Sequence, residues 1–335
     1  MDRIRKASWL ARMFAGLAVL ALVAAACGDD DGGGGSTLEG SLNISGSSTV
    51  EPITSLVAEK FQTENPGVTV AVDGPGTSDG FELFCNGETD INDASRKIEQ
   101  EEIDACAANG VTPIELEVGL DALSVVTNPA NPLSCVDYGD LYALFGPESE
   151  GIDTWDAANP LAQEAGGSGD LPALDLTIVA PGEESGTYGS FIDLAIGDIA
   201  GERGEADDAL RGDYQPAPDD NVIIDNAAGN EGGLGFVGFA FATNAGDTVK
   251  SFEVDSGDGC VAPSPETVID GSYPLSRSLY IYVSTEALEA NTALQPFVDF
   301  YLSPDGLASV EEVQYISLPD ERIETSRSTW ESESA

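Results

Sequence analysis

Residues 43–54 read NISGSSTVEPIT, and this stretch decides the fold because a strand, a glycine break and a helix follow one another within it. The apolar residues of 42–45 predict a β-strand that ends at Gly46, and apolar residues with helical spacing follow over 53–61. Hydroxyl residues fill positions 47–49, at the start of the predicted helix, where they can cap free backbone N–H groups. Because those N–H groups and the helix dipole also favour negative charge, the stretch predicts either a capped helix or one wall of an anion site.

The order of strand followed by helix recurs along the rest of the chain, which predicts an α/β protein. A length of 335 residues allows about two domains. Strands are predicted at 68–72, 111–116, 121–127, 174–180, 222–224, 235–241 and 279–283, and helices at 81–85, 99–108, 138–145, 188–196, 286–291, 295–302 and 306–313.

The N-terminal segment is typical of an exported lipoprotein. A basic start precedes an apolar stretch, so residues 1–26 are predicted to be a signal peptide. Cys27 follows three alanines, at the position where a bacterial lipoprotein signal places its lipidated cysteine, although Ala24 stands where leucine is more usual. Residues 27–40, rich in glycine and aspartate, are predicted to be a flexible tether that leads away from the outer face of the cell membrane. Ordinary cleavage near Ala26, which would leave Cys27 as a free thiol, is the alternative.

The formal net charge of −47 limits the partners of the protein. Such a surface repels nucleic acid and anionic membrane surfaces, which makes both poor partners. Asp and Glu are scattered along the chain, which favours a salt-adapted, heavily hydrated exterior over an acidic docking face. An anionic ligand must therefore be held by local dipoles against the overall field, which salt screens over about 10 Å.

Four cysteines remain beyond the N-terminal segment, an even number that predicts two disulfides in an exported protein. Three pairings are open. We favour Cys85–Cys106, which closes a local loop, and Cys135–Cys260, which ties distant segments. In the chain-entropy model these bonds stabilise the fold by roughly 3 and 5 kcal/mol at most. A metal site is not indicated, because the spacings do not fit one and the chain has no histidine.

Serine or threonine is combined with a small residue, glycine or alanine, at four predicted strand-to-helix junctions, namely 46–50, 74–80, 94–96 and 185–187. In open α/β sheets these junctions lie at the carboxyl ends of strands, where ligands bind. Backbone N–H groups and hydroxyls with few full charges suit a tetrahedral oxyanion. The four segments together therefore predict an anion site.

Longer motifs around these junctions occur in a fixed order: GSSTVEPI (46–53), GTSDGFELFCNGETDINDASRKI (76–98), SGTYGSF (185–191) and YPLSRSLYIYV (273–283). Together they resemble the PstS-type phosphate-binding proteins of ABC importers, especially a lipoprotein branch that contains cysteines. The resemblance covers about residues 41–318.

The resemblance implies an α/β, two-lobed periplasmic-binding-protein fold of the type II flytrap kind, with the ligand between the lobes. The chain would cross between lobes twice, near 123–128 and 276–283. Lobe I would consist of residues 41–125 and 279–335, and lobe II of residues 126–278. The function implied is extracytoplasmic, high-affinity binding of inorganic phosphate and its delivery to the permease subunits of an ABC importer. The protein would act as a lipid-anchored monomer, with no cofactor and no catalytic step.

The resemblance also assigns ligand contacts. These are Ser48, Thr49 and the Val50 backbone N–H in the first turn, Thr77 in the glycine loop, Ser95 and Arg96 in the Ser-Arg pair, and Ser185, Gly186 and Thr187 at a helix start in lobe II.

Two departures from the family pattern concern charge. Pro181 stands where many relatives have an arginine, and Ser95 stands where they have an aspartate. Arg96 is expected to replace the missing positive charge, since its planar fork suits two phosphate oxygens. A carboxylate that accepts the proton of monohydrogen phosphate would exclude sulfate. Asp79, Asp93, Glu183 and Glu184 are candidates for that role, and the sequence does not choose among them.

Other functions are less well supported. Residues 233–238 match GxGxxG, but the following residues 239–242 are predicted to be strand, whereas a dinucleotide site needs a helix there. A Ser-His-Asp triad is excluded because the chain has no histidine. An enzyme acting on phosphate esters should show a nucleophile beside a base or metal cluster, and the sequence shows neither. A phosphate or sulfate sensor, or an adhesion module, on the same fold remains the alternative.

Overall fold

The computed structural model describes residues 38–183 and 185–334. The predicted signal peptide, Cys27, most of the predicted tether and Glu184 lie outside the described residues. Within the described ranges, no helix combines the length and apolarity needed to cross a membrane.

Strands and helices alternate along the described chain. The strands β1–β12 are Gly40–Gly46, Val68–Asp73, Ile91–Ala94, Pro113–Thr127, Cys135–Asp137, Thr177–Ala180, Gln215–Pro216, Gly233–Gly238, Lys250–Ser251, Glu253–Asp255, Cys260–Val261 and Ser276–Ser284. The helices α1–α14 are Glu51–Glu64, Thr77–Cys85, Gln100–Asn109, Tyr138–Phe145, Asn159–Glu164, Gly186–Phe191, Gly197–Arg203, Asp220–Gly229, Phe239–Ala245, Pro265–Ile269, Thr285–Ala290, Leu294–Tyr301, Pro304–Glu312 and Asp320–Glu333. A π-helical turn, Ile192–Ile196, joins α6 to α7.

The main sheet has the strand order β2-β1-β3-β12-β4-β8-β6-β7, with β9 also paired to β4. Strand β1 runs parallel to β2 and β3, whereas β12 runs antiparallel to both β3 and β4. The parallel strands end together, which brings the turns after β1 and β3 to the same edge of the sheet. A smaller sheet is formed by β11, β10 and β5.

The two largest hydrophobic cores of the described residues share strand β4, and the chain passes between them again at the start of β12. Leu116 and Val118 of β4 pack in the first core, and Leu120 of the same strand packs in the second. The chain comes back to the first core at β12: Leu275, just before this strand, packs in the second core, and Leu279, within the strand, packs in the first. Two cores joined by two neighbouring strands confirm the predicted α/β, two-lobed architecture. Strand β4 passes from the first core to the second between Val118 and Leu120, a few residues before the predicted crossing at 123–128. The predicted lobe boundaries stay a prediction.

Both favoured disulfides are present in the structure. Cys85–Cys106 joins α2 to α3, and Cys135–Cys260 joins β5 to β11. Among the described residues, Cys135, Glu253 and Cys260 form the one His/Cys/Asp/Glu cluster compact enough to hold a metal ion. Since its two sulfurs are bonded to each other, they are not available as thiolate ligands.

Three secondary-structure predictions were wrong. Residues 222–224 lie in helix α8, because Asp219 caps a helix start by accepting the Asn221 N–H at 2.9 Å and the buried Ile223, Ile224 and Ala227 have helical spacing. Residues 239–241 open helix α9 instead of continuing a strand. Residues 111–116 and 121–127, predicted as separate strands, lie almost entirely within the single fifteen-residue strand β4, which Gly119 does not interrupt.

Candidate functional site

The turn after β1 is built around Gly46. Its φ of 143° lies in the region that favours glycine, and a Cβ there would lie 2.1 Å from the Asp93 carbonyl oxygen. The next residue, Ser47, donates its N–H to that carbonyl at 2.8 Å, and its Oγ accepts the Thr49 N–H at 3.2 Å. The Val50 N–H donates to the Ser47 carbonyl at 3.1 Å, immediately before α1 begins. Ser47 therefore accepts the N–H groups of the two residues before α1, and Ser48 is the exposed residue of the turn.

The glycine loop and the Ser-Arg pair are brought together at the same sheet edge. Thr77, the first residue of α2, lies with its Oγ1 3.1 Å from the Ser95 Oγ and accepts the Ser95 N–H at 3.2 Å. Two of the predicted hydroxyl contacts thus lie side by side.

These segments line one cleft of about 680 Å³. Its opposite side is formed by residues of the π-helical turn and of β12. The lining residues are Ser47, Ser48, Pro75, Gly76, Thr77, Ser78, Asp79, Ser95, Arg96, Asp193, Leu194 and Arg277. Three of the four predicted anion-binding segments therefore meet at this cleft.

Arg96 lines the cleft, but carboxylates of its own lobe hold its guanidinium. Two nitrogens donate to the two Glu102 oxygens at 2.7 and 2.9 Å, and Nε lies 3.4 Å from Glu99. The same Arg96 donates to the Ser78 Oγ at 2.9 Å. The hydrogen bonds that Arg96 donates to Glu102 are the main cause that raises the pKa of Arg96. Its charge is thus already matched, in a bidentate pair.

Arg277 is the cationic residue of the cleft that the sequence analysis missed. Its Nη2 donates to the Thr49 Oγ1 at 2.9 Å and to the Ser190 Oγ at 3.0 Å. Its Nη1 lies 3.1 Å from Asp193, and its Nε lies 3.3 Å from Asp121, which is its direct partner across β12 and β4. Arg277 bonds a hydroxyl from the turn after β1 and a hydroxyl of α6, and these two buried hydroxyls lie 3.4 Å apart, behind the residues that line the cleft. Two features of the sequence pointed to Arg277: it is the arginine of the motif YPLSRSLYIYV, and it lies in the predicted crossing at 276–283.

The segment Ser185–Thr187 forms the start of α6 and is absent from the cleft lining. The Ser185 Oγ caps this helix by accepting the Thr187 N–H at 3.2 Å. A Cβ on Gly186 would lie 3.2 Å from the Tyr315 hydroxyl. Burial, and next the charge of Asp121, raise the pKa of Tyr315. Helix α6 is linked to the cleft by Ser190, about one turn after Gly186, because the Ser190 Oγ accepts a hydrogen bond from the cleft residue Arg277.

The candidate proton acceptors occupy different places. Asp79 lines the cleft, Glu183 is exposed outside its lining, and Glu184 lies outside the described residues. Asp93 is fully buried below the turn, where its Oδ1 accepts the Thr54 hydroxyl at 2.9 Å. Burial is the main cause that raises the pKa of Asp93 to about 8. Asp193 is a further carboxylate at the cleft, which the sequence analysis did not name.

The GxGxxG stretch plays no part in this site. All of its glycines lie within strand β8, Gly233–Gly238, and not in the turn between a strand and a helix. A helix does follow, contrary to the prediction. The three glycines, however, do not form the phosphate-binding loop between strand and helix that a dinucleotide site requires.

Comparison with known proteins gives concordant results. Residues 32–305 match a family model described as a PBP superfamily domain. The chain is 38% identical over 277 residues to Protein SphX of Synechococcus elongatus, covering 82% of this chain and 76% of that protein. It is 32% identical over 301 residues to the phosphate-binding protein PstS of Staphylococcus saprophyticus, covering 89% and 86% of the two chains. The solved structure of a possible phosphate binding protein from Planctomyces limnophilus is similar with a TM-score of 0.78 and 29% identity, covering 88% of this chain and 99% of that one.

Proposed function

The chain belongs to the PBP superfamily and, within it, to the PstS-type phosphate-binding proteins, and from that premise we propose that it captures inorganic phosphate outside the cytoplasm and delivers it to an ABC-type importer. The observation that carries the proposal is the cleft. Three hydroxyl-bearing turns converge there, and Arg277 lines the same cleft while bonding to Thr49 of the first turn and to Ser190 of α6.

The proposed contacts combine the residues implied by the family resemblance with the residue that the structure adds. The hydroxyls and N–H groups of the turns would surround the oxyanion, and the guanidinium of Arg277 would supply a positive charge and a charge-assisted N–H donor. The proposed set is Ser48, Thr49, Val50, Thr77, Ser95, Arg96, Ser185, Gly186, Thr187 and Arg277. Ser185–Thr187 would join the site as the cleft closes around phosphate.

Capture needs no catalysis under this proposal. Phosphate would bind the closed arrangement of the two lobes more tightly than the open one, and that difference in affinity drives closure. Two neighbouring strands, β4 and β12, connect the cores and would provide the hinge. The permease would recognise the closed form, which bears the phosphate.

Anchoring belongs to the same proposal. Signal cleavage and lipid attachment at Cys27 would hold the protein as a monomer on the outer face of the membrane, on the tether that follows. Metabolic labelling with a radioactive fatty acid would test this, because Cys27→Ser should abolish incorporation of the label.

Isothermal titration calorimetry of the protein without its first 37 residues tests the ligand. Phosphate and arsenate, which carry protons near neutral pH, should bind far more tightly than sulfate. Equal binding of sulfate would contradict the assignment to phosphate.

Uptake of labelled phosphate by cells that lack the gene tests delivery. Under phosphate limitation these cells should lose high-affinity uptake, and the intact gene should restore it. Normal uptake in the deletion strain, together with tight phosphate binding in vitro, would favour the sensor or adhesion alternative.

A further inference from the structure

The charge around Arg277 is unusual for an anion site, because two carboxylates already face its guanidinium. Asp121 lies 3.3 Å from Nε and Asp193 lies 3.1 Å from Nη1. One positive and two negative charges leave this group with a net charge of −1 before any ligand arrives. An incoming oxyanion would therefore be repelled unless one carboxylate moved away.

The two carboxylates differ in their freedom to move. The Asp121 side chain is 3% exposed and stands directly across the strand pair from Arg277, so breaking this pair would leave a buried charge uncompensated. The Asp193 side chain is 55% exposed and comes from the π-helical turn, where it lines the cleft. The carboxylate of Asp193 can rotate away from Arg277 and be solvated by water, which costs little free energy.

Position supports the same distinction. Asp193 binds a terminal nitrogen of the guanidinium, on the cleft side, whereas Asp121 binds the inner Nε. Arg277 lies between the two cores, while the helix before Asp193 packs in the second core through Phe191 and Ile192. The Arg277–Asp193 contact thus connects the crossing strand to a wall of the cleft.

We propose that Asp193 is an internal counter-ion, whose carboxylate occupies the place on Arg277 that a ligand oxyanion takes and which the ligand must displace. This inference rests on the proposed function, since it assigns Arg277 to the anion. The contact also adds an ionic bond to the Ser190–Arg277 hydrogen bond, and both link the second-core wall to β12. Phosphate would replace that contact with its own bonds to both sides of the cleft.

Asp193→Asn removes the competing charge and keeps the size of the side chain. We expect the variant to bind phosphate about threefold to tenfold more tightly than the natural protein, and sulfate more tightly by a similar factor, because the competition depends on charge alone. Asp198→Asn is the matched control, since it removes one charge from the exposed surface of the next helix, outside the cleft lining. Calorimetry at one fixed salt concentration measures all three proteins.

Small-angle X-ray scattering in phosphate-free buffer gives a readout that does not depend on ligand. Asp193→Asn should have a larger radius of gyration than the natural protein and the control, because the ionic contact between the wall and Arg277 is lost and only the Ser190 hydrogen bond remains. An unchanged radius of gyration, or unchanged anion affinity, would overturn the proposal. Weaker phosphate binding with stronger sulfate binding would also overturn it, because Asp193 would then accept the phosphate proton. If the natural protein bound neither anion, the proposed function would fail, and the scattering comparison alone would decide the role of Asp193.

Discussion

Arg277 and Arg96 both reach the cleft, yet their guanidinium groups face different partners. Arg96 is held by Glu102 and Glu99, close to it in sequence on the same lobe. Arg277 is held by hydroxyls and carboxylates from four different elements, and one of those carboxylates is exposed. At the scale of single residues, Arg277 is therefore the arginine whose partners an anion can replace.

Substitution of the two arginines separates their roles. We expect Arg277→Gln to weaken phosphate binding about 10-fold to 100-fold, since a hydrogen bond to a charged group contributes about 1.5–3 kcal/mol. Arg96→Gln should weaken binding less, because Glu102 already neutralises Arg96. Calorimetry measures the phosphate affinity of both variants. A larger loss of affinity in Arg96→Gln than in Arg277→Gln would show that Arg96 supplies the positive charge of the site, as the sequence predicted.

Asp93 should make the stability of the protein depend on pH. Its pKa is raised to about 8 in the fold, mainly by burial, whereas in the unfolded chain it titrates near its ordinary value of 3.8. Between these values the folded state binds a proton that the unfolded state does not, so the free energy of unfolding should fall as pH rises from about 4 to about 8. Over that window the contribution is on the order of a few kcal/mol.

Asp93→Asn tests this contribution, because an amide of the same shape does not titrate. Urea unfolding at several pH values should show a flatter pH dependence for the variant than for the natural protein. The exposed Asp247→Asn serves as the control and should leave the slope unchanged. Parallel curves for Asp93→Asn and the natural protein would contradict the expectation.

At the scale of elements, sequence patterns predicted those parts of the fold whose signals are local. Helix α4 was predicted with its observed bounds, Tyr138–Phe145, where Asp137 forms a capping box at the start. Helix α14, Asp320–Glu333, was not predicted, since only Ser326 and Trp330 are buried in it and it has little apolar periodicity. Strand β4 was predicted as two strands because a sequence does not show that one strand serves two cores.

The same limit applied to the candidate site. The turn after β1 could be predicted, because a strand followed by glycine, serine and a helix is a local pattern, and the Ser95–Arg96 pair after β3 was assigned to the ligand through the family resemblance. The role of Arg277 depends on its register opposite Asp121 and on contacts to Thr49 and Ser190, which are distant in sequence. Only the assembled lobes bring these four residues together.

The turn between β1 and α1 should tolerate no side chain at Gly46. An alanine there would combine an unfavourable φ with a Cβ 2.1 Å from the Asp93 carbonyl oxygen. We expect Gly46→Ala to lower the free energy of unfolding by about 1–3 kcal/mol or more, and to weaken phosphate binding as the turn shifts.

Gly189→Ala is the matched control for this substitution. Gly189 lies inside α6, and a Cβ there would meet no described atom within 4 Å beyond its chain neighbours and the backbone of its own helix, so alanine should be neutral or stabilise the fold by up to about 1 kcal/mol. Urea unfolding and calorimetry measure both variants. Equal stability of Gly46→Ala and the natural protein would show that the turn can rearrange.

At the scale of the whole molecule, the net charge of −47 opposes compactness through self-repulsion. Raising the salt concentration from about 0.05 M to about 1 M shortens the Debye length from more than 10 Å to about 3 Å. We expect the Tm to rise over this range. Differential scanning calorimetry measures it, and potassium chloride and potassium glutamate should act alike if screening is the cause. A Tm that stays constant or falls would contradict the expectation.

The Cys135–Cys260 bond has a consequence for survival outside the cell. It closes the chain between these residues into a covalent ring, and the exposed loop 204–208 lies inside that ring. A protease that cuts this loop once opens the ring but separates no fragment, because the sulfur bridge still joins the two pieces. The nicked protein should migrate as one species on a gel without reductant and as two with it, and the two pieces, each of which contributes to both cores, stay attached.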